Sequence, residues 1–437
     1  MSLSTHLENL DDDVRGSVLD EMTIRIDPGK YGRYVRSLYA FAITGTKKTI
    51  TAPFYYAQTR MGLSRPKRTA LPPCGEYKFV GTLRDNQQQV KKEAVKALNK
   101  RGTIVLSLHC GFGKTVTSIG LARQIGLRTL IIVNKVVLMT QWRESIKRFC
   151  PDARVRLLKP SLKLPNDDEV FDFYIVNAVN VPKFFDTEVG RVLLSSIGTV
   201  IVDECHLIMA ETLVQSLLHL EPRYMIGLSA TPYRPDALDQ LLDLYFGPGR
   251  IVRKLFRRHI VYKVESGFEP RSDKNSDGIL NWGAILDSQA RDENRNRLLV
   301  NIICEHPDRT FLVLTKRIVQ GETLLEMLRD QHISCTSLLG SQQSFDPDAR
   351  VLIGTIAKVG TGFDHDRLNA LLLASDVEEY FIQYLGRIFR TDKGDPLVFD
   401  VVDNHPVLWK HYATRKATYI EHGGEIRSYN RLLGRSR

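Results

Sequence analysis

Twice along this chain, short β-branched runs alternate with amphipathic stretches long enough to be helices. The fold that buries such a pattern is a parallel sheet covered by helices on its faces. The first series places candidate strands at 103–108, 129–133, 172–176, 199–203 and 224–228. A second begins after FGPGR at 246–250 and continues through 259–265, 310–314, 333–337, 351–354, 371–374 and 397–402. The expected fold class is therefore α/β, with two tandem parallel-sheet lobes at 81–248 and 249–437. A chain of 437 residues is long enough for each lobe to bury its own core. Residues 1–80 mix Gly, Pro and the aromatic pair Tyr55 and Tyr56 with short apolar runs, and read as a small strand-containing accessory module. The segment 265–283, rich in Ser, Asp, Gly and Asn, reads as a loop.

Charge is the next constraint. The formal net charge is +11, and residues 25–80 carry eleven Lys or Arg against only Asp27 and Glu76, a local excess of +9. A concentrated excess of that kind points to a polyanionic partner. Arg250, Arg253, Lys254, Arg257 and Arg258 form a second basic cluster. The six cysteines are scattered, with no CxxC pair and no histidine spacing suited to zinc, which implies a reducing compartment. The amino-terminal stretch is polar and acidic, and no apolar run reaches the roughly 18 residues that cross a bilayer. The expectation is an intracellular, soluble protein without membrane partners.

Four motifs follow candidate strands, where ligands of open α/β sheets bind. LHCGFGKT at 108–115 joins a strand to a helix, so that Cys110, Gly111, Phe112, Gly113 and Lys114 can wrap a phosphate with backbone N–H groups. Lys114 then reaches the β and γ phosphates, and the Thr115 hydroxyl is offered to Mg2+. DECH at 203–206 ends a strand in two carboxylates: Asp203 to hold Mg2+ and Glu204, beside the same metal, to polarise the attacking water. SAT at 229–231 closes another strand. QYLGRIFR at 383–390 sets Arg387 and Arg390 three apart on one helix face, able to neutralise charge on a transferring phosphoryl group. LRDNQ at 83–87 adds Arg84 and Gln87 one helix upstream of the phosphate loop, with an amide able to read adenine. Together these motifs call for ATP and Mg2+.

With these residues in hand, the stretch from Leu83 to about Asp403 resembles the superfamily 2 helicases and translocases of the DExH branch. It most resembles the XPB and UvsW type of DNA helicase, and in particular the transcript-release DNA helicases of poxviruses and other large DNA viruses. VNKVVLMTQW at 133–142, LSATPYRP at 228–235 and GTIAKVGTGFD at 354–364 carry the likeness beside the motifs above. The resemblance implies two RecA-like lobes. It makes Gln141, Trp142, Asn177, Lys316 and Thr355 nucleic-acid contacts. Gly362 and Asp364 become nucleotide contacts, His206 and Gln383 a link between the metal site and the second lobe, and Ser229 and Thr231 the coupling pair. DNA, duplex or branched, is the implied track, with 3′ to 5′ polarity; the transcription machinery is an implied partner, and a viral source would place the chain in the virion or host cytoplasm. Cys110 and Cys205 depart from the hydroxyl or small residues common there.

The mechanism expected from these parts is a motor in which hydrolysis and strand grip alternate. The basic 25–80 segment and the 250–258 cluster would hold duplex through phosphate contacts. Four other readings compete: a motor that moves on duplex and displaces a bound complex without separating strands, an RNA-tracking helicase, a nucleic-acid clamp switched by nucleotide without movement, and a P-loop kinase, for which a second α/β lobe would be superfluous. Oligomeric state is not legible.

Overall fold

The computed structural model describes residues 1–26, 36–45, 48–109, 111–159, 171–208, 217–230, 239–274, 278, 280–342, 344–359, 365–377, 381–389 and 394–429. The chain divides into two compact units, Met1–Arg253 and Lys254–Arg437. Each is built on a seven-stranded sheet whose described pairings are all parallel.

Across the first sheet the strands run in the order Arg250–Arg253, Thr103–Leu108, Tyr224–Ser229, Thr199–Val202, Thr129–Val133, Phe173–Asn177, Val155–Leu158. The central five are buried along their whole length, as strands covered by helices on both faces must be. The strand Arg250–Arg253 pairs with Thr103–Leu108, so the first unit extends five residues past the boundary expected at 248.

Residues 1–80 form a three-stranded antiparallel sheet, Ser2–His6 with Thr49–Pro53 and then Ala42–Thr44, and a hairpin of Thr23–Ile26 with Arg36–Tyr39. This segment is not a separate body. Leu3, Val18, Ile50 and Phe54 share one apolar cluster with Leu242, Tyr245 and Phe246 of the sheet-covering layer. At the join, Gly247 has φ +74°, and a Cβ there would stand 2.6 Å from the Tyr55 ring. Only glycine allows that approach.

The second sheet is ordered Cys335–Leu338, Val351–Thr355, Phe311–Thr315, Ala370–Leu373, Leu397–Val402, His259–Glu265, Gly424–Ser428. Among the described residues its interior holds buried ion pairs of Arg295 with Asp403 and Arg415 with Asp400, both at 2.8 Å, and of Arg415 with Asp376 at 2.6 Å. Among the described residues no helix is long and apolar enough to cross a membrane.

Candidate nucleotide site at the carboxyl edge of the first sheet

Because Thr103–Leu108, Tyr224–Ser229 and Thr199–Val202 are consecutive and parallel, their carboxyl ends lie side by side. The phosphate loop, Ser229 and the acidic pair are thus delivered to one edge. Thr231 and Cys110 lie outside the described residues.

The loop after Leu108 turns through Gly111 at φ 82° and Gly113 at φ 91° and enters the helix Lys114–Ile125. A Cβ on Gly113 would lie 2.4 Å from Gln87 Nε2, so both its backbone angle and its space demand glycine. Gln87 and Arg84 brace this loop from behind. Gln87 Nε2 donates to the Phe112 carbonyl at 2.8 Å, while its Oε1 accepts from Arg84 N at 2.9 Å. The Arg84 guanidinium donates to the carbonyls of Gly111, at 3.3 Å, and Phe112. With those carbonyls held by donors on the far side, the N–H groups at the helix start are the polar groups left to meet an anion. Gln87 is 4% exposed with both ends of its amide engaged by the chain. In this arrangement it acts as a loop brace. Lys114 Nζ donates to the Leu108 carbonyl at 3.2 Å, and Thr115 is half-buried one residue further on.

Asp203 follows the fully buried strand Thr199–Val202. Its Oδ2 accepts from the Trp142 indole at 2.8 Å and its Oδ1 from Glu204 N at 3.0 Å. Burial and the neighbouring Glu204 push its carboxyl up to about 6, against the pull of the Trp142 hydrogen bond and the Lys114 charge. Glu204 holds φ +47°, a left-handed conformation that a non-glycine residue adopts at a cost. Its Oε2 is buried without a hydrogen-bond donor among the described residues, and His206 Nδ1 lies 3.6 Å away. His206 Nδ1 is also 2.9 Å from Ser229 Oγ, so one imidazole spans the acidic motif and the neighbouring strand end. Cys205 is fully buried, which pushes its thiol up to about 12 and leaves it an inert packing residue.

Trp142 was expected at the strand-contacting surface. It is 2% exposed, packed with Leu138, Met139 and Ile146 on one face of the helix Val136–Phe149. That spacing already marks a core stripe, and its role is to orient Asp203. Asn177 is buried and caps the short turn Ala178–Asn180 by accepting from Val179 N at 3.3 Å. Gln141 is half-buried on the same helix as Trp142.

The basic segment 25–80 is partly consumed by the fold. Arg65 donates to the carbonyls of Leu98 and Asn99, both at 2.8 Å, and Arg68 to that of Ile125 at 2.6 Å. These guanidinium groups satisfy helix carboxyl ends. Arg60 pairs with Glu21 at 2.9 Å. In the second cluster, Arg250 pairs with Asp243, Arg253 with Glu93 and Lys254 with Glu421, and Arg257 bonds the Phe389 carbonyl. Among the described residues, Arg25, Lys48, Lys67, Lys78 and Arg258 are exposed, Arg25 only 3.9 Å from the exposed Asp20. Lys30, Arg33 and Lys47 lie outside the described residues.

In the second unit, Gln383 and Arg387 sit on the helix Phe381–Ile388 and are 5% and 8% exposed. Arg390, Gly362 and Asp364 lie outside the described residues. Lys316 directly follows the strand Phe311–Thr315, and Thr355 ends the paired strand Val351–Thr355, so both stand at the carboxyl edge of that sheet.

The residues at the first edge fit a magnesium nucleotide. A glycine loop entering a helix N-terminus, an amine and two adjacent carboxylates are the groups such a ligand requires. The family model "Type III restriction enzyme, res subunit" matches residues 81–234. "Putative helicase 161L" of Invertebrate iridescent virus 6 is 41% identical, covering 98% of this chain and 100% of its own. "Putative helicase 055L" of Frog virus 3 is 34% identical over 86% of this chain and 85% of its own. The solved structure of S. cerevisiae Dbp5 bound to RNA and ADP BeF3 matches with a TM-score of 0.54 at 13% identity, covering 78% of this chain and 89% of Dbp5, and shows the shared fold. With that coverage by the iridescent-virus relatives, the chain belongs to the superfamily 2 helicases, ATP-hydrolysing enzymes of two tandem RecA-like units.

Proposed function

We propose that this helicase hydrolyses ATP at the edge formed by Lys114, Asp203, Glu204 and Ser229, and uses the cycle to move 3′ to 5′ along DNA in transcript release or in repair. The observation that carries the reading is the juxtaposition of these four residues by three consecutive parallel strands. Lys114 meets the β and γ phosphates on the cradle. Thr115 and Asp203 are the residues to hold Mg2+, which when bound neutralises phosphate charge. Glu204, held in its left-handed backbone beside a carboxylate, orients and deprotonates the attacking water. His206, shared between Glu204 and Ser229, passes the state of the acidic pair to the adjoining strand end. Arg387 and Arg390 are the residues assigned to neutralise charge on the transferring phosphoryl group.

DNA as the track rests on the net positive charge and on the resemblance to DNA helicases of large viruses. ATP turnover measured without nucleic acid and with single-stranded DNA, duplex DNA and RNA tests it, joined to displacement of a strand from duplexes tailed at one end. Stimulation by DNA and displacement only from a 3′-tailed substrate are expected. Stimulation by RNA alone moves the track to RNA, and nucleotide binding without turnover makes the chain a clamp.

A further inference from the structure

At the carboxyl edge of the second sheet, three segments converge on one indole. Trp282 opens the helix Trp282–Arg291, which begins after the loop that follows the strand His259–Glu265. The Lys316 ammonium stands 5.7 Å from its ring centroid, and the His411 ring meets it edge-on at 5.6 Å. The arrangement is bolted in place from several sides. Arg317 donates to Asp287 at 2.6 Å and to the Gly283 carbonyl, tying the first turns of the tryptophan's helix to the residue after Lys316. Lys316 N donates to Ser375 Oγ at 3.1 Å, and His411 Nδ1 lies 2.7 Å from Asp376, which the buried Arg415 also holds. Trp282 itself is only half-buried. A large indole anchored at the carboxyl edge of a parallel sheet, where ligands of such sheets bind, and left half-buried keeps surface available to a ligand.

We propose that Trp282 is a stacking platform for an unpaired base of single-stranded nucleic acid, with Lys316 neutralising the phosphate beside that base. A nucleotide presents the complementary pair, a π-face and an anion a few bonds apart. The lysine stem is flexible and its ammonium is a point charge, so it exchanges the ring face for a phosphate without disturbing the anchored turn. Stacking on an aromatic side chain is tolerant of base identity, as movement along arbitrary sequence requires. The inference rests on the nucleic-acid reading above and assigns that reading a residue in the second unit.

The test is equilibrium binding of the full chain to labelled oligo-dT, oligo-U and an abasic deoxyribose tract of equal length, for wild type, Trp282→Ala and Trp282→Phe. Stacking contributes on the order of 1–3 kcal/mol per base, so Trp282→Ala is expected to bind about 10-fold more weakly to a base-bearing strand. Trp282→Phe stays within about 3-fold, and wild type and Trp282→Ala bind the abasic tract alike. A loss on oligo-dT alone or oligo-U alone supports the platform and identifies the strand it grips. If the unaltered protein binds the abasic tract as tightly as the base-bearing one, the platform is overturned, and that comparison needs no variant to fold. If it binds no nucleic acid at all, the proposed function fails first and takes the platform with it.

Discussion

Asp203 in the first unit and Asp403 in the second occupy matching places, each directly after a buried strand of a parallel sheet. Their surroundings differ. Asp403 is met by the buried Arg295 guanidinium at 2.8 Å, by the buried Gln289 and by the half-buried Ser266. Asp203 is met by an indole N–H and a backbone amide, with Glu204 beside it. Among the described residues Lys114, the nearest cation by motif, forms no ion pair with a carboxylate. A carboxylate answered by a full positive charge is finished, and it stabilises the fold. One oriented by neutral donors and crowded by a second acid still lacks its counter-charge, which is the condition for holding a metal. The difference separates a structural aspartate from the one proposed to hold the metal, although VIVDE and FDVVDN look alike as strings.

The sharpest way to break that contrast is to remove each acid in turn. Asp403→Ala leaves Arg295 buried without its partner and is expected to cost about 3–5 kcal/mol in urea unfolding of the second unit; a cost below about 1 kcal/mol would dissolve the comparison. Glu204→Gln is expected to lower ATP turnover on the order of 10²- to 10⁴-fold while ATP still binds, as loss of a general base does; near wild-type rates would place the base elsewhere. Asp203→Asn sharpens the contrast through pH. The folded chain raises the Asp203 carboxyl from its ordinary 3.8 to about 6, so the folded state holds that proton more tightly than the unfolded one. Its contribution to stability is therefore full below about pH 4 and is lost as pH rises through about 6. Metal-free wild type should lose stability across that interval, the Asn variant should not, and Mg2+ with nucleotide should restore the wild type. Identical pH profiles for the two proteins would refute the crowded-acid account. The smallest effect belongs to Arg65→Ala. It should cost about 1 kcal/mol by uncapping the helix Asp85–Arg101, with no change in the salt dependence of nucleic-acid binding.

Strand by strand, what could be read in advance follows burial. The five central strands of the first sheet were visible because two covered faces require unbroken β-branched runs, as in TIVLSL and TLIIV. Val155–Leu158 and Arg250–Arg253, unrecognised in the sequence, are the two edges of that sheet, and Gly424–Ser428 is an edge of the other. Edge strands are short and half-exposed, so VRLL, RIVR and GEIRS carry polar residues that look like loop. The site divides similarly. Lys114, Asp203 and Glu204 lie in contiguous motifs after strands, so their common placement at one sheet edge could be read from the sequence. The bond from Trp142 to Asp203 and the brace from Gln87 to Phe112 span 61 and 25 residues, and local pattern does not specify such pairs. The ion pair of Arg295 with Asp403, 108 residues apart, escaped for the same reason.

The shared apolar cluster of Leu3, Val18, Ile50 and Phe54 with Leu242, Tyr245 and Phe246 changes how truncation should be read. Cutting the chain after residue 80 would strip one wall from the motor's own interior, and lost activity in such a fragment would report collapse rather than a missing grip. The leading segment is better probed by single exposed lysines, Lys48, Lys67 and Lys78, whose replacement leaves that wall standing.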